Sequence, residues 1–138
     1  MIFFNSYTKE YAWLSNFSPH PVGTWPTLEH AYQASRTVSP VEREFIRRAP
    51  TPGAARNVGK TLTTRPDWSV VKVPVMKRAL LVKFSDPELK QKLLDTGTEH
   101  LIHLSPWDTF WGADHRGNGE NVLGKLIMEV REELRRDS

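Results

Sequence analysis

The 138-residue chain contains no cysteine, which excludes disulfides, thiolate metal sites and a cysteine nucleophile. Long apolar runs are missing as well: nothing approaches the roughly 20 residues that a helix needs to span a bilayer. The opening Met1-Ile2-Phe3-Phe4-Asn5 lacks the charged stretch and apolar core of a secretory leader, and the absence of cysteine makes a reducing cytoplasm the expected setting. There is no Gly-x-Ser-x-Gly elbow, no P-loop and no Gly-x-Gly-x-x-Gly dinucleotide fingerprint. The histidines are scattered, and only His100 and His103 lie close together. That pair has no zinc spacing, so no metal is expected. With no repeat, low-complexity tract or linker, the expectation is one domain over residues 1–138.

What is present looks globular. Hydrophobic residues make up 38% and charged residues 25% of the chain, enough to fold around a core. The formal charge of +3 is unevenly spread, with 13 basic residues against 5 acids between Arg36 and Lys92. An anionic partner, a phosphate or a nucleic acid, fits this field, and so do ordinary helix surfaces rich in Lys and Arg.

Ile2–Phe4 reads as a short strand, and residues 11–22 as a loop broken by Pro19 and Pro21. Helices are expected over about 26–38, 40–48 and from Thr51-Pro52 to Gly59, where proline suits a first helical position. The apolar spacing of Trp68, Val71, Val75, Met76, Leu80 and Phe84 is helical, with Pro74 expected to break or kink it. Ser85-Asp86-Pro87-Glu88 opens a further helix that Gly97 closes. His100–Leu104 alternates as a strand does, and Thr109–Trp111 is a second candidate strand. A final helix, about 120–136, carries the stripe Val122, Leu123, Leu126, Ile127, Val130 and Leu134. The fold class is α+β, a helix-rich domain with a few short strands.

Four clusters offer chemistry. Glu29, Gln33 (or Tyr32) and Arg36 share one face of the first helix at i, i+3/i+4 and i+7. A carboxylate there can act as a general base or stabilise charge on a sugar carbon, or the three form a solvated stripe. Leu14-Ser15-Asn16-Phe17-Ser18 can hold turns or hydrogen-bond a sugar or base. Trp107–Gly112 combines aromatic rings with Asp108, either a stacking wall with an acceptor or core plus turn. The Gly- and Asn-rich stretch from Gly112 to Gly124 is a loop feeding a helix N-terminus, an arrangement that can cradle phosphate or be a surface turn.

Taken in order, these pieces resemble the NADAR family, also called YbiA-like. The resemblance runs from about Phe3 to Arg135. It is carried by Leu14-Ser-Asn-Phe17, Trp25-Pro-Thr-x-Glu29-His30-x-Tyr-Gln-Ala34 and Asp67-Trp68-x-x-x-Lys72-x-x-Val75-Met76. Lys83-Phe84, Leu93-Leu94-x-Thr96-Gly97, Asp108-x-x-Trp111-Gly112 and Asn121-x-Leu123-Gly124-x-x-x-Met128-x-x-x-Arg131 continue it. The resemblance implies an N-glycosidase, without metal or other cofactor, acting on a phosphorylated ribosyl–nitrogen bond. Its substrate would be ADP-ribosylated guanine in nucleic acid or a nucleotide, or else a ribosylamino-pyrimidine phosphate of early riboflavin synthesis. Glu29 is carried over as a catalytic residue. Asn16, Phe17, His30, Gln33, Asp108, Trp111, Gly112 and Asn121 are the expected substrate-binding positions, with Trp111 stacking on the base and Asp108 holding a polar edge.

Three departures stand out. The family usually has lysine seven residues after the glutamate, a nucleophile able to capture the anomeric carbon as a Schiff base, and this chain has Arg36. Guanidinium stays protonated and cannot do that. Where many members have Gly-Arg, this chain has Gly59-Lys60, so an exchange between facing positions would restore an amine, and both Arg36 and Lys60 are catalytic candidates. His103 stands where a glutamate is common. A module that binds ADP-ribose or a nucleotide without turnover is the rival reading, favoured by Arg36.

Overall fold

The computed structural model describes residues 1–138. In chain order the elements are β1 (Ile2–Phe4), a single 3-10 turn (Ala12–Leu14), α1 (Leu28–Ala34), α2 (Pro40–Arg48), α3 (Pro52–Gly59), α4 (Trp68–Lys83), α5 (Pro87–Asp95), β2 (Leu101–His103) and α6 (Val122–Arg136). Six α-helices and one small parallel sheet make this an α+β fold, as expected. No helix is long and apolar enough to cross a membrane. The residues gather into two compact units, Asn16–Lys83 and Met1–Ser15 with Phe84–Ser138.

In the unit Asn16–Lys83, α1 meets α2, α3 and α4, and all seven of its residues are buried. A helix this short cannot hold itself by backbone bonds alone, so its ends are tied from outside. Thr27 caps it by accepting the amide of His30, and the Asn16 carbonyl accepts the amide of Glu29 at 3.2 Å. The expected span of 26–38 shrinks to 28–34 because Thr27 takes the cap and Ser35–Ser39 turns toward the next proline-led helix. Ser39 caps α2 and Thr51 caps α3, each with proline in the first turn. Ala34, Ile46, Ala49 and Ala55 form a core beneath Trp25. The Trp25 ring is itself covered by the guanidinium of Arg47 at 3.9 Å and of Arg43 at 5.2 Å.

Pro74 does not end α4, which runs unbroken through it. Proline removes the bond that the Val70 carbonyl would accept, but Val70 and Pro74 are both exposed, and water can serve that carbonyl.

In the other unit β1 and β2 pair in parallel, with Ile2 opposite Leu101 and Phe4 opposite His103. The face of α6 bearing Leu123, Leu126, Ile127 and Val130 is buried, as its apolar period requires. Gly124 lets the helix approach the sheet: a Cβ there would collide with the Leu101 carbonyl. Asp86 rather than Ser85 caps α5, accepting the amide of Leu89. The buried Arg131 donates to the Thr96 hydroxyl at 3.0 Å and the Glu99 carbonyl at 2.8 Å, which fixes the turn leading into β2. Thr109–Trp111 forms no strand, because Asp108 folds that segment back on itself.

Candidate active site

Glu29 is 7% exposed and Gln33 5%, so two polar side chains of α1 lie inside the protein. One turn apart, they bond directly: Gln33 Nε2 donates to Glu29 Oε1 at 2.8 Å. A further turn on, Arg36 Nη1 donates to Gln33 Oε1 at 3.3 Å. The face expected from the i, i+4, i+7 spacing is therefore a hydrogen-bonded line of carboxylate, amide and guanidinium. Most buried polar groups are hydrogen-bonded, and Gln33 bonds both neighbours by presenting its amide to Glu29 and its carbonyl to one nitrogen of Arg36. The bland alternative of a solvated stripe is excluded for Glu29 and Gln33 by their burial.

The line is framed by α3 and α4. Gly59 faces Gln33 so closely that any Cβ would collide with its Oε1, which makes the glycine a requirement of the site and not merely a helix end. Lys60 follows as the exposed C-terminal cap of α3, its amide bonded to Asn57. Trp68, at the start of α4, lies 5.2 Å from the Tyr32 ring and 5.8 Å from the Arg36 guanidinium carbon. Tyr32 thus belongs to an aromatic contact and leaves the polar line to Gln33. Arg36 Nε is buried with no hydrogen-bond acceptor, a donor that a ligand oxygen would satisfy.

His30 has a different place. It is 1% exposed, with Nδ1 against Thr27 Oγ1 at 2.8 Å and Nε2 against the Ala49 carbonyl at 2.9 Å. Both ring nitrogens serve the fold, joining the cap of α1 to the end of α2. Asn16 supplies its carbonyl to Glu29 and its side-chain amide to Met76 Sδ at 3.6 Å, while its Oδ1 is buried without a donor. Phe17 follows it, half-buried.

The remaining candidates lie in the other unit. Asp108 Oδ1 accepts the amides of Phe110 at 3.1 Å and Trp111 at 3.0 Å, so the carboxylate closes a turn that presents Trp111 edge-to-face with Phe110. Gly112 is buried, and a Cβ there would meet the His103 carbonyl at 2.7 Å. Asn121 adopts a left-handed backbone (φ 50°) at the head of α6. Its Oδ1 accepts the amide of His103 and its Nδ2 donates to the Leu101 carbonyl, both at 2.9 Å. These bonds give Asn121 and Gly112 the task of locking loop to sheet.

The glycine-rich loop is no phosphate cradle. The amides of Val122 and Leu123, which open α6, donate to the carbonyls of Phe110 and Trp111. Asp114 Oδ1 takes the amides of Arg116 and Asn118. The donors that would have met a phosphate are spent inside the loop.

Ser18, from the 14–18 cluster, and Lys83, one of the residues that carry the resemblance, form a buried pair bonded at 2.9 Å, a pairing that the sequence does not reveal. Nowhere do three His, Asp or Glu side chains gather as a metal site.

A model of the NADAR domain matches residues 2–135, and the chain belongs to the NADAR domain family. N-glycosidase Npun_R5314 of Nostoc punctiforme is 40% identical to it, over 97% of this chain and 92% of that protein. N-glycosidase YbiA of Escherichia coli is 38% identical over 97% of this chain and 88% of its own length. The chloroplastic riboflavin biosynthesis protein PYRR of Zea mays is 39% identical over 87% of this chain, a match that occupies 23% of the maize protein. The NMR structure of E. coli YbiA has the same fold, with a TM-score of 0.86 at 36% identity, covering 98% of this chain and 86% of that one.

Proposed function

We propose that this protein is an N-glycosidase, a hydrolase of N-glycosyl bonds, whose preferred substrate is ADP-ribose attached to guanine in nucleic acid or a nucleotide. The observation that carries the reading is the hydrogen-bonded line from the buried Glu29 and Gln33 of α1 to Arg36 in the turn just past its end, in a family whose relatives here are named N-glycosidases. Hydrolysis breaks the bond from the anomeric carbon to nitrogen, forms one from that carbon to water oxygen, and delivers a proton to the departing nitrogen. Glu29 orients the water or the ribose hydroxyls and assists that proton transfer. Gln33 fixes the carboxylate, and its other end anchors Arg36. Guanidinium pairs well with phosphate oxygens, so the unpaired Arg36 Nε suits a phosphorylated sugar. Lys60, at the end of the helix packed on Gln33, is the amine available to bond the anomeric carbon as the base departs, with water then displacing that amine to release the sugar and regenerate it.

The test is incubation with an oligonucleotide carrying ADP-ribosylated guanine, following free ADP-ribose by mass spectrometry, with Glu29→Ala alongside. Release by the wild type that vanishes in the variant is the expected result. A second reading, hydrolysis of ribosylamino-pyrimidine phosphates, is favoured by the maize relative's name. It predicts turnover of those compounds and none of the oligonucleotide. ADP-ribose that raises the melting temperature, with no release from either substrate, would instead make the chain a binding module.

A further inference from the structure

Lys83 takes no part in the chemistry above, yet it is the one lysine that the fold buries completely, at 1% exposure. Removing an ammonium from water costs several kcal/mol, and burial holds this amine's pKa down to about 7. A methionine would fill similar space without that cost, so the amine needs a reason to be there. Its Nζ donates to the Ser18 hydroxyl at 2.9 Å. Ser18 is buried too, and its Oγ lies 3.0 Å from His20 Nδ1, so the hydroxyl that accepts from Lys83 can donate to a neutral imidazole.

The same helix grips the same segment a second time. Asn16 Nδ2 donates to Met76 Sδ at 3.6 Å. Met76 and Lys83 are seven residues apart, two turns of α4, and so share one face. The residues they hold, Asn16 and Ser18, are two apart. The Asn16 carbonyl then accepts the amide of Glu29 at 3.2 Å, one of the first-turn donors that α1 cannot satisfy itself. An unbroken path of bonds runs from the end of α4 through residues 16–18 to the backbone of Glu29.

We propose that Lys83 is a positioning residue: by holding Ser18 it fixes the Asn16 carbonyl, and with it the place of Glu29 at the head of α1. The proposal rests on Glu29 being the working carboxylate, and the test separates the two. Lys83→Met, Ser18→Ala and the double variant are compared with wild type by amide hydrogen exchange over residues 16–33. Release of ADP-ribose from the modified oligonucleotide is followed in parallel. Each single variant should exchange the Glu29 amide faster and lower kcat by about ten-fold or more, with KM moved by less than about two-fold. The double variant should be no worse than the worse single one, because both remove the same link. An unchanged Glu29 amide in folded variants, or losses that multiply, overturns the proposal. If Lys83→Met does not fold, Ser18→Ala decides alone. A wild type that releases nothing from any substrate defeats the reading of Glu29, while the exchange data still decide whether Lys83 holds its backbone.

Discussion

Glu29 and Gln33 sit one helical turn apart with their side chains largely buried, which makes their exchange for close isosteres informative. Glu29→Gln keeps the shape and can still accept from Gln33, so the fold should survive. If the carboxylate works as a base, kcat should fall by about 10²- to 10⁴-fold, measured as ADP-ribose release, with the melting temperature nearly unchanged. Arg36 and Lys60 divide differently. If Lys60 supplies the amine that the family usually places at position 36, Lys60→Ala should abolish release, and Arg36→Ala should chiefly raise KM by loosening a phosphate. Lost turnover in Arg36→Ala with full activity in Lys60→Ala would refute the exchange of roles. Arg36→Lys, which returns an amine to position 36, should then rescue Lys60→Ala.

Most of the helices could be read from the sequence because their signals are local. Ser39, Thr51 and Asp86 each precede a proline-led turn, and each caps its helix, so the helix starts are read to within a residue even where the cap is Asp86 and not Ser85. The polar line that starts on α1 was legible for the same reason, since its three residues lie within eight positions. Other features depend on partners far along the chain. The bond from Lys83 to Ser18 joins residues 65 apart, and nothing near either of them announces it. The glycine-rich loop looked like an anion cradle because sequence does not show that Phe110 and Trp111 carbonyls consume the α6 amides. Gly59 is the sharpest case: on helix propensity alone, Gly59→Ala should stabilise α3 by about 1 kcal/mol. The close approach to Gln33 reverses that sign. Gly59→Ala should destabilise the protein by about 1–3 kcal/mol in a urea titration and reduce turnover by displacing Gln33.

At the scale of the whole molecule, the buried amine couples stability to pH. Lys83 binds its proton more weakly folded, near pH 7, than unfolded, near 10.5. Between those values the unfolded chain holds the extra proton, so stability should rise with pH across that window, by at most about 1.4 kcal/mol per pH unit. The gain is complete above the unfolded value and lost as pH falls to about 7. Lys83→Met should flatten this dependence relative to wild type, checked by urea unfolding at pH 7, 8.5 and 10; parallel slopes would mean that the amine is charged and well paired throughout. The excess of basic residues between Arg36 and Lys92 should also make turnover of a phosphate-rich substrate fall with added salt, through a rise in KM. The decisive measurement is release of ADP-ribose from an oligonucleotide bearing ADP-ribosylated guanine, by wild type and by Glu29→Gln. Catalysis through Glu29 predicts steady release by the first and essentially none by the second. Equal release by both would contradict it.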